Sequence, residues 1–426
     1  MIKKGFITTG IFIISTCIQL ISQIVVTRIY GASLSLDIFL AAVAVPTIIV
    51  TVIYATLNDA FLPLLAQRKH DEKETYLLSH IITLTTITFF VSLIISIVSD
   101  PLSALLYGQR GIEFVHNVSF QIRYLFLSIP VSVAATLLGS YFYERKDFIR
   151  FPFAQLLGSA INLLIIYYFA PIIGIWALVS AFVINIVIQI FFIIPRKIFS
   201  VRFIIASPWP ILIAWTPLII GNIAMRSDTL LVRSFAVGLP DGYLVYLNLV
   251  VKVFSLATSV ATIGIQVLLL PHIIEYFNDK NYTRLFITVR KAKIGSILVS
   301  MSITMLLLFI APFFITLLFV GGKFTAEDAL VTNKLLPLFV LPSIGWGINT
   351  IFMQPLIALK KQYVVGALNV LAMILGFSVG YVTKLHFGPL FGILTGLTTL
   401  IFSGIIGSEF VWQYYKNQIQ KSQSSS

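Results

Sequence analysis

The chain has 426 residues, of which 58% are hydrophobic and only 11% charged. Water-soluble domains carry about 25% charged residues, so this composition excludes a soluble globular protein and defines a polytopic membrane protein. The formal net charge is +13, and the single cysteine, Cys17, excludes an intrachain disulfide or a cysteine metal site. The five histidines are scattered without ligand spacing, so no metal or other cofactor is implied.

The first segment, "MIKKGFITTGIFIISTCIQLISQIVVTR", opens with positive charge. Its apolar run is too long for a signal-peptide core, and it reads as an uncleaved first membrane helix. A helix needs about 20 apolar residues to cross the hydrocarbon layer. On that template the chain carries twelve spans, at 5–29, 36–65, 76–98, 120–143, 151–171, 173–194, 209–236, 243–271, 294–319, 327–358, 363–384 and 388–414. The tail "KNQIQKSQSSS" is polar and is expected to be disordered. Counting Lys and Arg in the connections puts twenty on one side and four on the other, so both termini are predicted to be cytoplasmic. The positive charge is thus a mark of topology, not a nucleic-acid surface.

The two halves of the chain resemble each other. "QIVVTRIYGASLSLDIFLAA" leads to "FLPLLAQRKHDEKETYLLSHI", and "TLLVRSFAVGLPDGYLVYLN" leads to "LLLPHIIEYFNDKNYTRLFIT". Arg28 then matches Arg233, and Pro63 matches Pro271. "PLSALLYGQRG" likewise matches "FFITLLFVGGKF". The predicted fold is an all-α polytopic membrane protein with about 12 transmembrane helices in two pseudo-symmetric six-helix lobes. The lobes are expected at 1–199 and 211–415, joined by a linker at 200–210 and followed by a polar cytoplasmic tail at 416–426. Two such halves suit a transporter.

Within this apolar chain, "FVGGKFTAEDALV" (319–331) is locally polar. Gly321 and Gly322 allow a turn, Thr325 is a good N-cap, and Asp328 sits where it reaches back to free backbone N–H groups. The stretch therefore predicts a helix start on the outer face, with a structural role.

Charges inside the spans are expensive, about 2.5–3.5 kcal/mol or more each at mid-bilayer. Those singled out are the basic Arg28, Arg123, Arg226, Arg233 and Lys252, set against Asp37, Asp59 and Asp228. This excess suits an anionic substrate such as a phosphate or diphosphate. Candidate substrate-binding residues are Arg28, Asp37, Arg226, Arg233 and Lys252; candidate ion-coupling residues are Asp59 and Asp228. Plainer readings stand beside these. Arg28 and Asp37 flank one short turn and can pair there or reach the interface, Arg123 can snorkel, and Arg226, Asp228 and Arg233 can form a structural cluster. Lys252, about nine residues into its span, is too deep to snorkel with ease. Asn58, Asn222, Asn248, Gln266 and Asn349 also lie within spans, and Pro46, Pro130, Pro217 and Pro342 interrupt them. No Walker A pattern or HExxH is present. An enzyme is therefore not expected, and a gradient, the membrane potential or substrate turnover must supply the energy.

"TRIYGASLSLDIFLAAVAVP", "LVRSFAVGLPDGYLVYLNLVVKVF" and above all "GKFTAEDA" resemble the MurJ/MviN group of lipid-linked oligosaccharide flippases in the MOP (MATE-like) superfamily. The resemblance implies a two-lobed MOP/MATE-like transporter fold that exports an undecaprenyl-diphosphate-linked saccharide by alternating access. It places Arg28, Asp37 and Lys252 on family charged positions, with Lys252 where the family has a cavity arginine. The chain departs from the family at Thr16, Ser22, Val50 and Thr51, where members carry arginines, and in having twelve spans where many members have fourteen.

The expected function is therefore a flippase for a polyprenyl-diphosphate-linked saccharide, either lipid II or a surface-polysaccharide repeat unit, in the bacterial cytoplasmic membrane. Expected partners are that lipid-linked oligosaccharide and membrane lipids, with Na+ or H+ as candidate coupling ions; the protein is expected to be a monomer. The alternatives are a cation-coupled multidrug exporter of the same superfamily, which would need acidic rather than basic cavity residues, and a membrane glycosyltransferase or polymerase, which would need a longer outer loop.

Overall fold

The computed structural model describes residues 2–69, 72–195, 197–198, 206–359 and 361–424. These residues form helices, with no strand among them. The first eight are α1 (Ile2–Tyr30), α2 (Leu34–Ala66), α3 (Lys73–Ile97), α4 (Ser99–Tyr107), α5 (Ile112–Leu125), α6 (Ser128–Glu144), α7 (Arg150–Ile173) and α8 (Trp176–Ile193). The others are α9 (Trp209–Met225), α10 (Asp228–Phe235), α11 (Tyr243–Asn278), α12 (Tyr282–Phe319), α13 (Ala326–Leu335), α14 (Val340–Ala358), α15 (Gln362–Phe387) and α16 (Pro389–Ser424). Among the described residues, 10 helical stretches are long and apolar enough to cross a membrane, and the α9–α10 pair, bent by 44°, makes an eleventh. α11, 36 residues long, occupies the position of the predicted eighth span. Most of the predicted linker (200–205) and the side chain of Gln266 lie outside the described residues.

Three local expectations change. The predicted outer loop around 99–119 is largely helical, as α4 and the first part of α5. The polar tail does not end the last helix, which runs on to Ser424; Gln, Lys and Ser can continue a helix that Gly or Pro would stop. The break in the seventh span falls at Arg226 and Ser227, not at Pro217, which lies inside α9.

The chain divides into two compact units, Met1–Ile219 with Gly321–Phe324, and Ile220–Val320 with Thr325–Ser426. In the first unit α6 is the core helix. It is buried from Ser128 to Phe142 apart from Val131, and it lies against α2, α3 and α8. Small residues bring the helices close. A Cβ on Gly139 would come within 2.8 Å of the Phe151 ring. The outward faces remain apolar, with Phe12, Ile13, Phe90 and Ile94 exposed, as expected where the solvent is hydrocarbon.

In the second unit α15 and α16 form the tightest helix pair. Gly376 and Gly380 on α15 face Gly392 and Gly396 on α16, each pair spaced as G-x-x-x-G. A Cβ on Gly380 would lie 2.9 Å from the Gly392 carbonyl oxygen, and one on Gly392 would lie 2.8 Å from that of Gly380. The backbones touch because nothing stands between them. The hydroxyls of Thr383 and Thr395, 2.5 Å apart, extend the contact.

Candidate functional site

Two of the predicted charges of the second unit, Arg226 and Asp228, flank the break between α9 and α10. α9 ends at Met225, and α10 starts at Asp228, in the first turn where a carboxylate suits the helix dipole. Ser227 donates its hydroxyl to the Ala224 carbonyl at 2.7 Å, which holds the break in place. Asp228 accepts the Thr229 N–H at 2.7 Å and the indole N–H of Trp346 from α14. Arg226 lies within electrostatic range of Asp228, and its Nε is buried with no hydrogen-bond partner among the described residues.

Five residues along α10, about 7.5 Å by helix rise, Arg233 donates from Nη2 to Asn248 Oδ1 at 3.4 Å. Asn248 and Lys252 are one turn apart on α11, on the same face. Lys252 is exposed on this unit and lies within electrostatic range of Arg233. Arg226 and Asp228 thus lie at the break as opposite charges, and further along Arg233 and Lys252 repel each other. An anion that bridges Arg233 and Lys252 would relieve that repulsion.

The candidate residues of the first unit do not form a comparable cluster. Asp37, with no exposed surface, accepts from Arg110 Nη2 at 3.3 Å. Arg110 also lies over the Phe114 ring, 4.7 Å from its centroid. Asp59 is exposed, 22 residues further along α2 and so about 33 Å from Asp37 by helix rise. Arg28 is exposed at the end of α1, and its carbonyl accepts the Lys323 N–H at 2.8 Å. Gly321 and Gly322 have φ of +134° and +61°, and a Cβ on Gly322 would lie 2.3 Å from the Arg28 carbonyl oxygen. Arg123, read as a snorkelling residue, pairs with Asp100 at 2.7 Å.

The helix start predicted at Thr325 is present in full. Thr325 accepts the Asp328 N–H at 3.2 Å, and Asp328 accepts the Thr325 N–H at 2.7 Å, closing a capping box. Asp328 also accepts from Tyr246 Oη at 2.6 Å. Two further members of the sites, Trp346 and Arg110, come from distant parts of the chain. Trp346 carries a sequence signal as an aromatic N–H donor inside a predicted span; Arg110 lies in a predicted connection between spans and carries none.

The class of protein is set by the fold. Solved structures of a lipid II flippase MurJ in an inward closed conformation (17% identity, 97% of this chain and 88% of that chain, TM-score 0.83) and of an inward-facing multidrug resistance MATE family transporter of the MOP superfamily (14% identity, 96% of each, TM-score 0.77) share it. The molecule is a multi-span membrane protein with the MOP-superfamily transporter fold. The family model described as "Lipid II flippase MurJ" matches residues 26–425, and the chain belongs to that family. A probable lipid II flippase MurJ of Helicobacter pylori (strain J99) is 25% identical over 189 residues, 42% of this chain. That alignment spans 38% of the curated relative's own length.

Proposed function

We propose that the protein is a flippase that moves a polyprenyl-diphosphate-linked saccharide, lipid II or a surface-polysaccharide repeat unit, across the bacterial cytoplasmic membrane by alternating access. It makes and breaks no covalent bond. The observation that carries this reading is the approach of two like charges, Arg233 and Lys252, within electrostatic range of each other beyond the broken helix. A diphosphate bridging Arg233 and Lys252 would screen their repulsion, and two cations of different geometry suit its oxygens, a guanidinium fork and a compact ammonium. Arg28 and Asp37 are the first unit's substrate candidates.

Both termini are assigned to the cytoplasm by the charge bias of the connections. The membrane potential then acts on the empty, positively charged site and helps to reset it. Asp59 and Asp228 are the groups through which Na+ or H+ would be coupled. The protein is assigned as a monomer.

The test is flipping of a labelled lipid-linked diphosphate in proteoliposomes, with Lys252→Ala compared with wild type at equal inserted protein. Loss of flipping in the variant supports the site; wild-type rates remove Lys252 from it. Rescue of cells depleted of their lipid II flippase separates the peptidoglycan precursor from another glycan. Efflux of cationic dyes in place of lipid flipping would replace the reading with a drug exporter.

A further inference from the structure

The second unit holds a cavity of about 520 Å³ away from the broken helix, between the start of α12, the end of α16 and Phe352 of α14. Such a volume is within the usual range for small-ligand sites. α12 contributes Arg290 and Lys293; α16 contributes Glu409, Trp412 and Lys416. Residues 409, 412, 413 and 416 share one face of α16, and 286, 290 and 293 share one face of α12.

The charges in this cavity are not equivalent. Lys293 is buried and pairs with Glu409, whose other oxygen accepts from Gln413 Nε2 at 2.6 Å. Lys293 also lies over the rings of Phe352 and Trp412, at 4.8 and 5.5 Å from their centroids. That pair is internally balanced and fixes the floor of the cavity. Arg290, exposed, and Lys416, half-buried and within electrostatic range of Glu409, also line the cavity and leave it with a net positive charge. Lys416 is held over the Phe286 ring at 5.4 Å.

Position completes the argument. The cavity sits at the ends of the apolar spans predicted at 294–319 and 388–414, the level of lipid headgroups. From its rim Ile294, Leu298, Met301 and Met305 form an exposed apolar stripe along α12. A basic, aromatic-lined cup continued by an apolar stripe fits a ligand with an anionic head and an acyl chain.

We propose that this cavity is a binding site for an anionic phospholipid. Its phosphodiester is held by Arg290 and Lys416, its hydroxylated head meets Gln413 and Trp412, and one acyl chain lies along the α12 stripe. The site is separate from the cation cluster at the broken helix and does not depend on which molecule the protein transports.

The test uses the full chain in nanodiscs of phosphatidylcholine with added phosphatidylglycerol. Native mass spectrometry counts the lipid retained after mild delipidation, and thermal melting is followed in parallel. Wild type is expected to retain phosphatidylglycerol over phosphatidylcholine and to melt higher in its presence. Arg290→Gln with Lys416→Gln is expected to lower that preference about tenfold or more, since each interfacial cation contributes to anionic-lipid attraction, while melting in pure phosphatidylcholine is unchanged. The single Arg290→Gln, at an exposed position, should give a smaller drop in the same direction. Lys280→Gln with Arg284→Gln removes two cations outside the cavity and should leave the preference intact. Equal retention of the two lipids by wild type overturns the proposal, as does an equal drop in the control variant. A melting shift reproduced by inorganic phosphate alone would also overturn it, because the ligand would then be a soluble anion.

Discussion

At the start of α2, in the first unit, Asp37 has no exposed surface and meets Arg110 across 3.3 Å. In the second, Arg226 and Asp228 lie at the break between α9 and α10, and Arg233 and Lys252 lie within electrostatic range of each other further along. The first arrangement is closed, since each charge is answered within the protein and the pair does a structural task. The second sets two like charges, Arg233 and Lys252, within electrostatic range of each other, which raises the energy of the folded protein. A fold that only needed stability would not keep Lys252 beside Arg233. The comparison separates charge that holds the protein together from charge held ready for something else.

The strongest way to break this comparison is at Lys252. Lys252→Ala is expected to reduce lipid-diphosphate flipping more than tenfold, the loss of a charge-assisted contact of about 1.5–3 kcal/mol. It should melt no lower than wild type, because it relieves repulsion with Arg233. Lys252→Arg should keep much of the activity, and Lys252→Glu should be as inactive as alanine. A variant that loses stability and keeps its flipping rate would place Lys252 with the structural charges.

Arg110→Ala should do the reverse. It leaves the Asp37 carboxylate buried without this partner, a change that costs about 3–5 kcal/mol in other proteins. Detergent-solubilised protein should melt markedly lower, and Asp37→Asn in the same chain should restore part of the loss. An unchanged melting temperature in Arg110→Ala would show that the pair holds nothing.

Trp346→Phe sharpens the contrast from the second unit. It removes the indole N–H that Asp228 accepts while keeping an aromatic ring, so a loss of about 1.5–3 kcal/mol is expected. Melting measured with Asp228→Asn in both backgrounds isolates the pairwise part, and additive effects would exclude coupling between the two residues.

Smallest is Thr325→Ala, which removes one half of the capping box and should cost about 0.5–2 kcal/mol. Protein yield or melting temperature should fall while flipping per folded molecule stays the same. The opposite result would move "GKFTAEDA" from scaffold to mechanism.

The sequence was informative where the physics is local. Apolar length located the membrane-spanning segments, because a helix must satisfy its own backbone in lipid. The Thr325–Asp328 box was legible because its partners are three residues apart. Arg226, Asp228 and Arg233 could be read as neighbours for the same reason. Pairings across long stretches of chain were hidden: Arg110 is 73 residues from Asp37, and Trp346 is 118 from Asp228. The break in the seventh span was also misplaced. Proline signals a lost hydrogen bond, but α9 absorbs Pro217 and gives way nine residues later, at Arg226. The facing glycines of α15 and α16 were visible as two G-x-x-x-G strings, yet only the folded chain shows that they meet.

That glycine contact has a consequence for motion. Helices separated by side chains can slide, because rotamers adjust as one surface passes another. α15 and α16 have no such bearing: at Gly380 and Gly392 the main chain of each is itself the other's wall. A shift along the seam would drive Cα atoms and carbonyl oxygens into each other before any side chain could yield. The two helices therefore translate and rotate as a single stiff plate, and conformational change in this unit must be taken up at joints elsewhere, of which the unwound residues Arg226 and Ser227 are the ones already in place. Amide hydrogens along the seam should be among the slowest in the chain to exchange, and those at the joint among the fastest.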